Sequence, residues 1–410
     1  MTAPRPSPRT ARRTHGFTES VIREMTRVAN EAGAINLAQG FPDFPAPDVI
    51  KEAACEAIRA DINQYAITWG SPRLRRAIAA KYARFYGMEV DEAREITVTC
   101  GATEAAAAAL LSLVDPGDEV VIFEPFYENY GPDAILCGAT PVWVPLQPDG
   151  GLDLDRLARA FSRRTRAIVL NTPNNPTGHV FTRAELEFIA ELCQRYDAIA
   201  ITDEIYEHIL YEGTHVPLAT LPGMRERTIT ISGFSKTFSV TGWRIGTIVA
   251  PSDLTAAIRK VHDFLTVGAP APLQEGVAAG LELLGDDYYA ALARDYAARR
   301  DVLYRALVDA GFRCTLPQGA YYILADFSAL SELDDVAFSK WLARGGLPEG
   351  QAGRAGEARG VAPVPGSSFF HDPALGRNLV RFAFCKRIET LEEAGRRLRA
   401  LKPVMAGQSR

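Results

Sequence analysis

The chain has 410 residues, 47% hydrophobic and 23% charged, enough to bury a full core and form about two or three domain-sized units. A formal net charge of -5 offers no electrostatic case for nucleic acid, and no apolar run is long enough to span a bilayer. Six cysteines without a CxxC pair predict reduced thiols in a cytoplasmic setting, and six histidines without metal-ligand spacing predict no metal.

Residues 1–15, rich in Arg and Pro and free of acids, read as a disordered tail, since a transit peptide of similar composition would carry an amphipathic pattern. Phe17, Val21, Ile22, Met25 and Val28 stand at helical spacing and predict a helix over 17–32 that Gly33 ends. Gly40, Pro42, Pro45 and Pro47 force an irregular loop. Helices over 48–60 and 73–85 flank Asn63 to Pro72. From 95 to 250, short β-branched runs at 96–99, 119–123, 141–145, 166–170, 198–202, 228–232 and 245–249 alternate with helices at 102–114, 128–137, 153–161, 183–195 and 252–265. Strands separated by helices predict an α/β fold whose large domain is a mostly parallel seven-stranded sheet covered on both faces. A long helix over 286–310 and the run Tyr321–Asp326 lead into a smaller α+β domain. The expected layout is an N-terminal segment 16–47 joining the small domain, a large domain 48–290 and a small domain 291–410, with glycine-rich 345–360 as a mobile surface loop.

Ligands of such sheets sit beyond the carboxyl ends of the strands, so the residues ending each run are the candidates. Cys100-Gly-Ala-Thr-Glu-Ala105 fits both a plain helix start and an anion site built from free backbone N–H groups. Tyr127 follows a proline-fixed turn and offers a flat face to a heteroaromatic ring, or packs in the core as most aromatics do. Asn171-Thr-Pro-Asn-Asn-Pro-Thr-Gly178 is too rigid and turn-prone for ordinary strand. Asp203 follows Ala-Ile-Ala-Ile-Thr; it either caps the next turn or, buried, calls for a cationic partner.

Lys236 is one of seven lysines among 45 basic residues and sits among hydroxyls and aromatics rather than on a charged helix face. Alone it fits a solvated residue at an element's end. A desolvated lysine beside other cations, however, loses its proton readily and becomes nucleophilic enough for a Schiff base. Arg244, between Gly242 and Gly246, would suit an aldehyde cofactor carrying a phosphate. Near the end, Leu379–Phe384 alternates like a half-buried strand and holds Arg381 where an apolar or small residue is expected.

Residues 232–246 resemble the lysine motif S-K-x-x-x-x-x-G-W-R-x-G of class I/II aminotransferases of fold type I, and the other pieces follow the family's order over residues 20–400. The segment 171–178 is similar to the family's N-P-x-N-P-T-G, with Thr172 where the first Asn is common. The resemblance implies pyridoxal 5'-phosphate bound to Lys236, which also moves the substrate proton. It implies a phosphate cup of Gly101, Ala102, Thr103, Ser235 and Arg244; Gly233 stands where a phosphate-binding serine is frequent, leaving Ser232 or Ser235 to supply the hydroxyl. Tyr127 would stack on the pyridine ring, Asp203 keep its nitrogen protonated, and Tyr206 and Asn175 bond its phenolic oxygen. Gly40, Asn175 and Arg381 would bind substrate, Arg381 as a bidentate partner of the α-carboxylate. Tyr65 would reach the phosphate of a neighbouring subunit's cofactor, which makes a homodimer with shared active sites the minimal unit.

The implied activity is ping-pong transfer of an amino group from an L-amino acid to a 2-oxo acid. Segments 39–45, 319–323 and 360–370 resemble the kynurenine aminotransferase, glutamine transaminase K and bacterial methionine aminotransferase branch, whose donors are glutamine, methionine and aromatic amino acids. Val267 and Gly268 stand where the animal enzymes carry bulkier groups. The same scaffold also serves aspartate or N-succinyldiaminopimelate aminotransferases, which need a second cation near a distal carboxylate for which the sequence offers no candidate, and cysteine-S-conjugate β-lyases. Transcription regulators of this fold need an N-terminal DNA-binding domain, for which 47 residues leave no room.

Overall fold

A computed structural model describes residues 10–347 and 360–407, so 1–9 of the expected tail and 348–359 of the expected loop lie outside the described residues. Arg12–His15 forms a short 3-10 turn where tail is expected, with the Thr14 hydroxyl donating to Ala11 O at 2.8 Å. Helix α1 (Val21–Ala32) starts later than its apolar pattern because Ser20 takes the N-cap and accepts from the Arg23 N–H; left-handed Gly33 (φ 61°) ends it. Strand β1 (Ile35–Asn36) follows. Then come α2 (Asp48–Arg59), α3 (Pro72–Tyr86), β2 (Ile96–Thr99), α4 (Ala102–Leu113), β3 (Glu119–Glu124), α5 (Tyr130–Leu136) and β4 (Thr140–Pro145). The sheet is completed through α6 (Leu154–Ala160), β5 (Thr165–Asn171), α7 (Arg183–Tyr196), β6 (Ile199–Asp203), β7 (Thr228–Gly233), β8 (Gly246–Val249) and α8 (Ser252–Thr266).

These strands form one seven-stranded sheet in the order β2-β8-β7-β6-β5-β3-β4. All run parallel except β8, which is antiparallel to both neighbours. The reason lies in the connection: residues 234–245 join β7 to β8 without a crossover helix, and a strand returning directly can only pair antiparallel. The segment that carries Lys236 and Arg244 is therefore held at the carboxyl end of β7 by strands at both its ends. Alternate residues of each strand feed opposite layers. Val120, Ile122, Ile201 and Ile229 pack under α4 and α8, whereas Val121, Phe123, Ile168 and Ala200 pack under α6 and α7.

Helix α9 (Ala271–Leu283) has no counterpart among the expected elements, because Pro270, Gly276 and Gly280 argue against a helix by propensity. Packing explains them. A Cβ on Gly276 would lie 2.7 Å from Ile50 O, and one on Gly280 would lie 2.6 Å from Ile50 Cγ2, so the glycines let α9 lie against α2. Helix α10 (Asp286–Ala310) then runs unbroken across the expected domain boundary at 290/291. Its start packs Tyr289 on Phe85 of α3, and Tyr296, Leu303 and Leu307 enter the core of the smaller α+β domain.

That domain continues with β9 (Arg313–Cys314), β10 (Tyr322–Asp326), α11 (Asp335–Ala343), β11 (Val361–Ala362), β12 (Val364–Pro365), β13 (Leu379–Ala383) and α12 (Ile388–Gly407). A four-stranded antiparallel sheet runs in the order β12-β13-β10-β9. The N-terminal segment is tied to it: β1 pairs with β11, Ala383 N–H donates to Leu37 O at 2.7 Å, and Lys386 Nζ donates to Phe41 O at 2.7 Å. Residues 37–41 are thus drawn over the carboxyl ends of the large sheet.

Candidate active site

A cavity of about 830 Å³ opens beyond the carboxyl ends of β5, β6 and β7, and the small-domain strand β13 contributes Arg381 to its wall. Every expected site residue except Gly101 and Tyr65 lines it. Gly101 lies directly behind Arg244, and Tyr65 is 89% exposed on the loop between α2 and α3.

Lys236 points into this cavity with its Nζ 3.5 Å from Gly40 O, and the rings of Tyr321 and Tyr206 lie 5.6 and 6.0 Å away. Burial pushes its pKa down to about 8, and the positive charges of Arg244 and Arg381 add to that shift. The amine is therefore partly free near neutral pH. On one side, α4 begins at Ala102 with no side-chain cap, leaving first-turn N–H groups open. Arg244, held in a left-handed conformation (φ 55°), anchors Nη1 on Thr241 O at 3.0 Å. A Cβ on Gly101 (φ 81°) would strike Arg244 Nη2 at 2.3 Å, and one on Gly246 would lie 2.5 Å from Gly101 C, so neither glycine tolerates a side chain. Open helix N–H groups beside a guanidinium form a cup for a phosphate-sized anion. Ser235 lines the cavity next to it, whereas the Ser232 hydroxyl donates to Glu207 Oε1 at 2.5 Å behind the sheet end, which separates the two serines left open by the sequence.

Asp203 ends β6 opposite Asn171, which ends β5. Tyr130 OH donates to Asp203 Oδ2 at 2.7 Å and the Ile205 N–H to Oδ1 at 3.2 Å; burial nonetheless pushes its pKa up to about 6. Such a carboxylate is short of a cation. Asn171 positions its neighbours, donating to Asp203 O at 2.8 Å and accepting from the Asn175 N–H at 2.7 Å. Tyr127 closes the side of the cavity near α4, buried enough that its pKa is pushed up to about 12. Tyr206 OH and Tyr322 OH meet at 3.1 Å.

Arg381 is fully buried. Nη1 donates to Asn175 Oδ1 at 2.9 Å and Nη2 to Ala38 O at 2.6 Å, while Nε has no partner among the described residues. The guanidinium lies over the Tyr322 ring, 4.2 Å from its centroid. A buried cation held in place by neutral partners only is arranged for an anion to arrive. A Cβ on Gly40 would stand 2.2 Å from Tyr322 OH, so glycine is required for this close approach.

Sequence reasoning missed Tyr130, Asn171, Tyr321 and Tyr322 as members of the site. Tyr130 has a signal, standing three residues after Tyr127; the tyrosine pair 321–322 reads in the sequence as the start of the small-domain run and as a marker of branch, not as part of the site. Arg23 of α1 and Asp133 of α5, also in the wall, had none. Asp133 is buried, its Oδ2 has no partner among the described residues, and burial pushes its carboxyl up to about 7.

The model of the family described as aminotransferase class I and II matches residues 32–397. The chain is 44% identical over 405 residues to a probable N-succinyldiaminopimelate aminotransferase of Mycobacterium tuberculosis, covering 96% of this chain and 98% of the relative. It is 36% identical over 426 residues to human kynurenine–oxoglutarate transaminase 1, covering 96% and 98%. A solved Escherichia coli structure, described as having a methionine aminotransferase function, superposes with a TM-score of 0.88 at 37% identity, covering 97% of this chain and all of that one.

Proposed function

The chain belongs to the class I and II aminotransferases, which depend on pyridoxal phosphate, and within that family we propose that it moves the amino group of glutamine, methionine or an aromatic L-amino acid to a 2-oxo acid through the residues of this cavity. One observation carries the reading: a lysine with its pKa lowered to about 8 faces a single cavity that holds an anion cup at Arg244 and a second anion site at Arg381. The residues present fit the cofactor. The cup suits its phosphate, Tyr127 its ring face, and Asp203, a buried acid lacking a cation, its ring nitrogen.

When bound, pyridoxal phosphate supplies an electron sink for the bond broken at the substrate's α-carbon. Lys236 would hold the cofactor's aldehyde, and its amine, once free, would take up and return the proton at the substrate's α-carbon. Arg381 grips the α-carboxylate with Asn175 beside it, which turns the α-hydrogen toward Lys236. Tyr130 and the Ile205 N–H hold Asp203 in place, where it would pair with the cofactor's ring nitrogen. Tyr206, kept protonated because burial raises its pKa, would donate to the cofactor's phenolic oxygen.

The active unit in this proposal is a cytoplasmic homodimer. Supporting the dimer, Tyr65 is 89% exposed and its loop also exposes Ile62 and Ile67, an apolar surface that a second copy would cover. The compartment rests on the free cysteines. A second reading, N-succinyldiaminopimelate as substrate, is favoured by the 44% identical mycobacterial relative.

The test is a single-turnover screen in which each L-amino acid alone is mixed with purified, cofactor-loaded protein and the loss of the Lys-bound cofactor's visible band is followed. Rapid bleaching by glutamine, methionine or phenylalanine is the expected result and ranks the donors. A band that no amino acid bleaches would sink the proposal.

A further inference from the structure

Two phenols touch where the small domain meets the large one in the cavity wall. Tyr206 follows β6 of the large domain and Tyr322 opens β10 of the small one. Their hydroxyls lie 3.1 Å apart, and either can donate to the other. Both side chains are buried and both line the cavity.

The fold fixes where the Tyr322 hydroxyl stands. In the ladder of β10 and β13, Tyr322 is opposite Ala383 and Leu324 opposite Arg381, which puts Tyr322 and Arg381 on one face as diagonal neighbours. The guanidinium accordingly lies over the Tyr322 ring, 4.2 Å from its centroid. From another side Gly40 closes on the end of the phenol, since a Cβ there would stand 2.2 Å from the Tyr322 hydroxyl. Tyr322 is therefore clamped between Arg381 and the segment 37–41. The adjacent Tyr321 is committed elsewhere, its hydroxyl donating to Gly40 O at 2.7 Å.

The clamp bears on what Tyr206 can do. A hydroxyl has one proton to give and two lone pairs with which to receive. Once Tyr206 gives its proton to the cofactor's phenolic oxygen, it can no longer donate to Tyr322, and the contact at 3.1 Å persists as a hydrogen bond only with Tyr322 as donor. A hydroxyl that receives a hydrogen bond gives a stronger one. We propose that Tyr322 is a positioning residue acting through Tyr206: its hydroxyl donates to Tyr206, holds that phenol toward the cofactor's phenolic oxygen and strengthens the bond made there. This rests on the aminotransferase reading of the cavity and deepens it.

A donor to the phenolic oxygen steadies its negative charge, which eases loss of the proton carried by the nitrogen that Lys236 contributes. Weakening that donor raises the pH at which the bound cofactor changes colour. The experiment is a pH titration of the visible band of the holoenzyme, without substrate, in wild type, Tyr322→Phe, Tyr206→Phe and the double variant. Tyr322→Phe keeps a ring beside Arg381 and removes only the hydroxyl. The other titratable or charged groups facing the two phenols, Asp203, Lys236, Arg381, Cys385 and Tyr321, stay in place. Loss of one buried hydrogen bond predicts a midpoint raised by about 0.4–1 pH unit in Tyr322→Phe. A midpoint is independent of how much of the variant folds. With Tyr206 already replaced, the Tyr322 hydroxyl has nothing to act through, so the double variant should titrate within about 0.2 unit of Tyr206→Phe alone. An unmoved midpoint in Tyr322→Phe, or an equal shift when the same change is made on Tyr206→Phe, overturns the assignment and leaves the cofactor reading intact. A wild-type protein that forms no visible band with pyridoxal phosphate would overturn that reading, and this assignment with it.

Discussion

Lys236 offers the sharpest quantitative test of the site, because its lowered pKa can be read without any turnover. The perturbation is pH, and the reaction is capture of pyridoxal, the aldehyde without its phosphate, by the apoprotein, so that the anion cup does not enter. Only the neutral amine attacks, and with a pKa of about 8 about a tenth of it is neutral at pH 7 and about nine tenths at pH 9. Capture should therefore speed up about tenfold over those two units and level off above pH 9. An unshifted lysine at 10.5 would instead gain about a hundredfold over the same interval and keep rising to pH 10. The assay is stopped-flow absorbance of the apoprotein over pH 6.5 to about 10.5, with Lys236→Ala as the blank. A log-linear rise with no plateau below pH 10 would falsify the claim that burial and the neighbouring guanidiniums lower this pKa. Arg244→Gln removes one of those positive charges and should move the plateau to higher pH.

The same shift has a stability sign. Between about 8 and 10.5 the folded amine binds fewer protons than the unfolded one, so this group makes the apoprotein more stable as pH rises through that window. Asp203 acts in its own window. Its folded pKa of about 6 lies above the ordinary 3.8, so the folded state binds more protons and this contribution to apoprotein stability falls as pH rises from 3.8 through 6. Asp203→Asn should accordingly stabilise the apoprotein at pH 7.5 by about 1–3 kcal/mol while sharply reducing turnover, read by thermal melts of the apoprotein beside a donor assay. An apoprotein melting at or below wild type would contradict the idea that the acid lacks a cation. Gly276→Ala should lower stability by about 1–2 kcal/mol despite alanine's better helix propensity, because its Cβ would sit 2.7 Å from Ile50 O and 2.8 Å from Trp243. Urea titration decides this, and a gain in stability would show that α2 and α9 can move apart at little cost.

How much of this was legible in the chain depended on how far apart the interacting residues stand. The strand ends were readable because a buried β-branched run that stops at Asp203 or Asn171 already marks a polar residue at the sheet edge. Helix α9 was not, since Gly276 and Gly280 make sense only against Ile50. Arg23 was invisible for the same reason: on α1 it is one arginine on an amphipathic helix, and only the path of residues 37–41 over the sheet brings that helix to the cavity. The phosphate-side serine stayed ambiguous because strand alternation, not sequence distance from Lys236, decides which hydroxyl faces the ligand.

The turn Asp203-Glu-Ile-Tyr-Glu207 shows the limit most clearly and yields a last prediction. Asp203 and Tyr206 face the cavity, but Glu204 and Glu207 face the opposite way into a buried polar cluster. Glu207 accepts from Lys81 Nζ at 2.5 Å and from Ser232 at 2.5 Å, and is bonded by the Tyr86 hydroxyl; Glu204 meets His215 Nε2 at 2.8 Å. Lys81 comes from α3, 126 residues away in sequence, so no local pattern announces the pair. Both members are almost fully buried, with side chains 3% and 2% exposed, so solvent cannot take over for a missing partner. Removing Lys81 alone should therefore be costly: Lys81→Met strands a carboxylate and should lose about 3–5 kcal/mol in urea unfolding. Lys81→Met combined with Glu207→Gln removes both charges and keeps an acceptor for Ser232, so it should recover most of that loss. If the double variant is as unstable as the single one, the cluster's value lies in its hydrogen-bond geometry rather than in charge pairing, and the cavity-facing half of the turn is then held by that geometry alone.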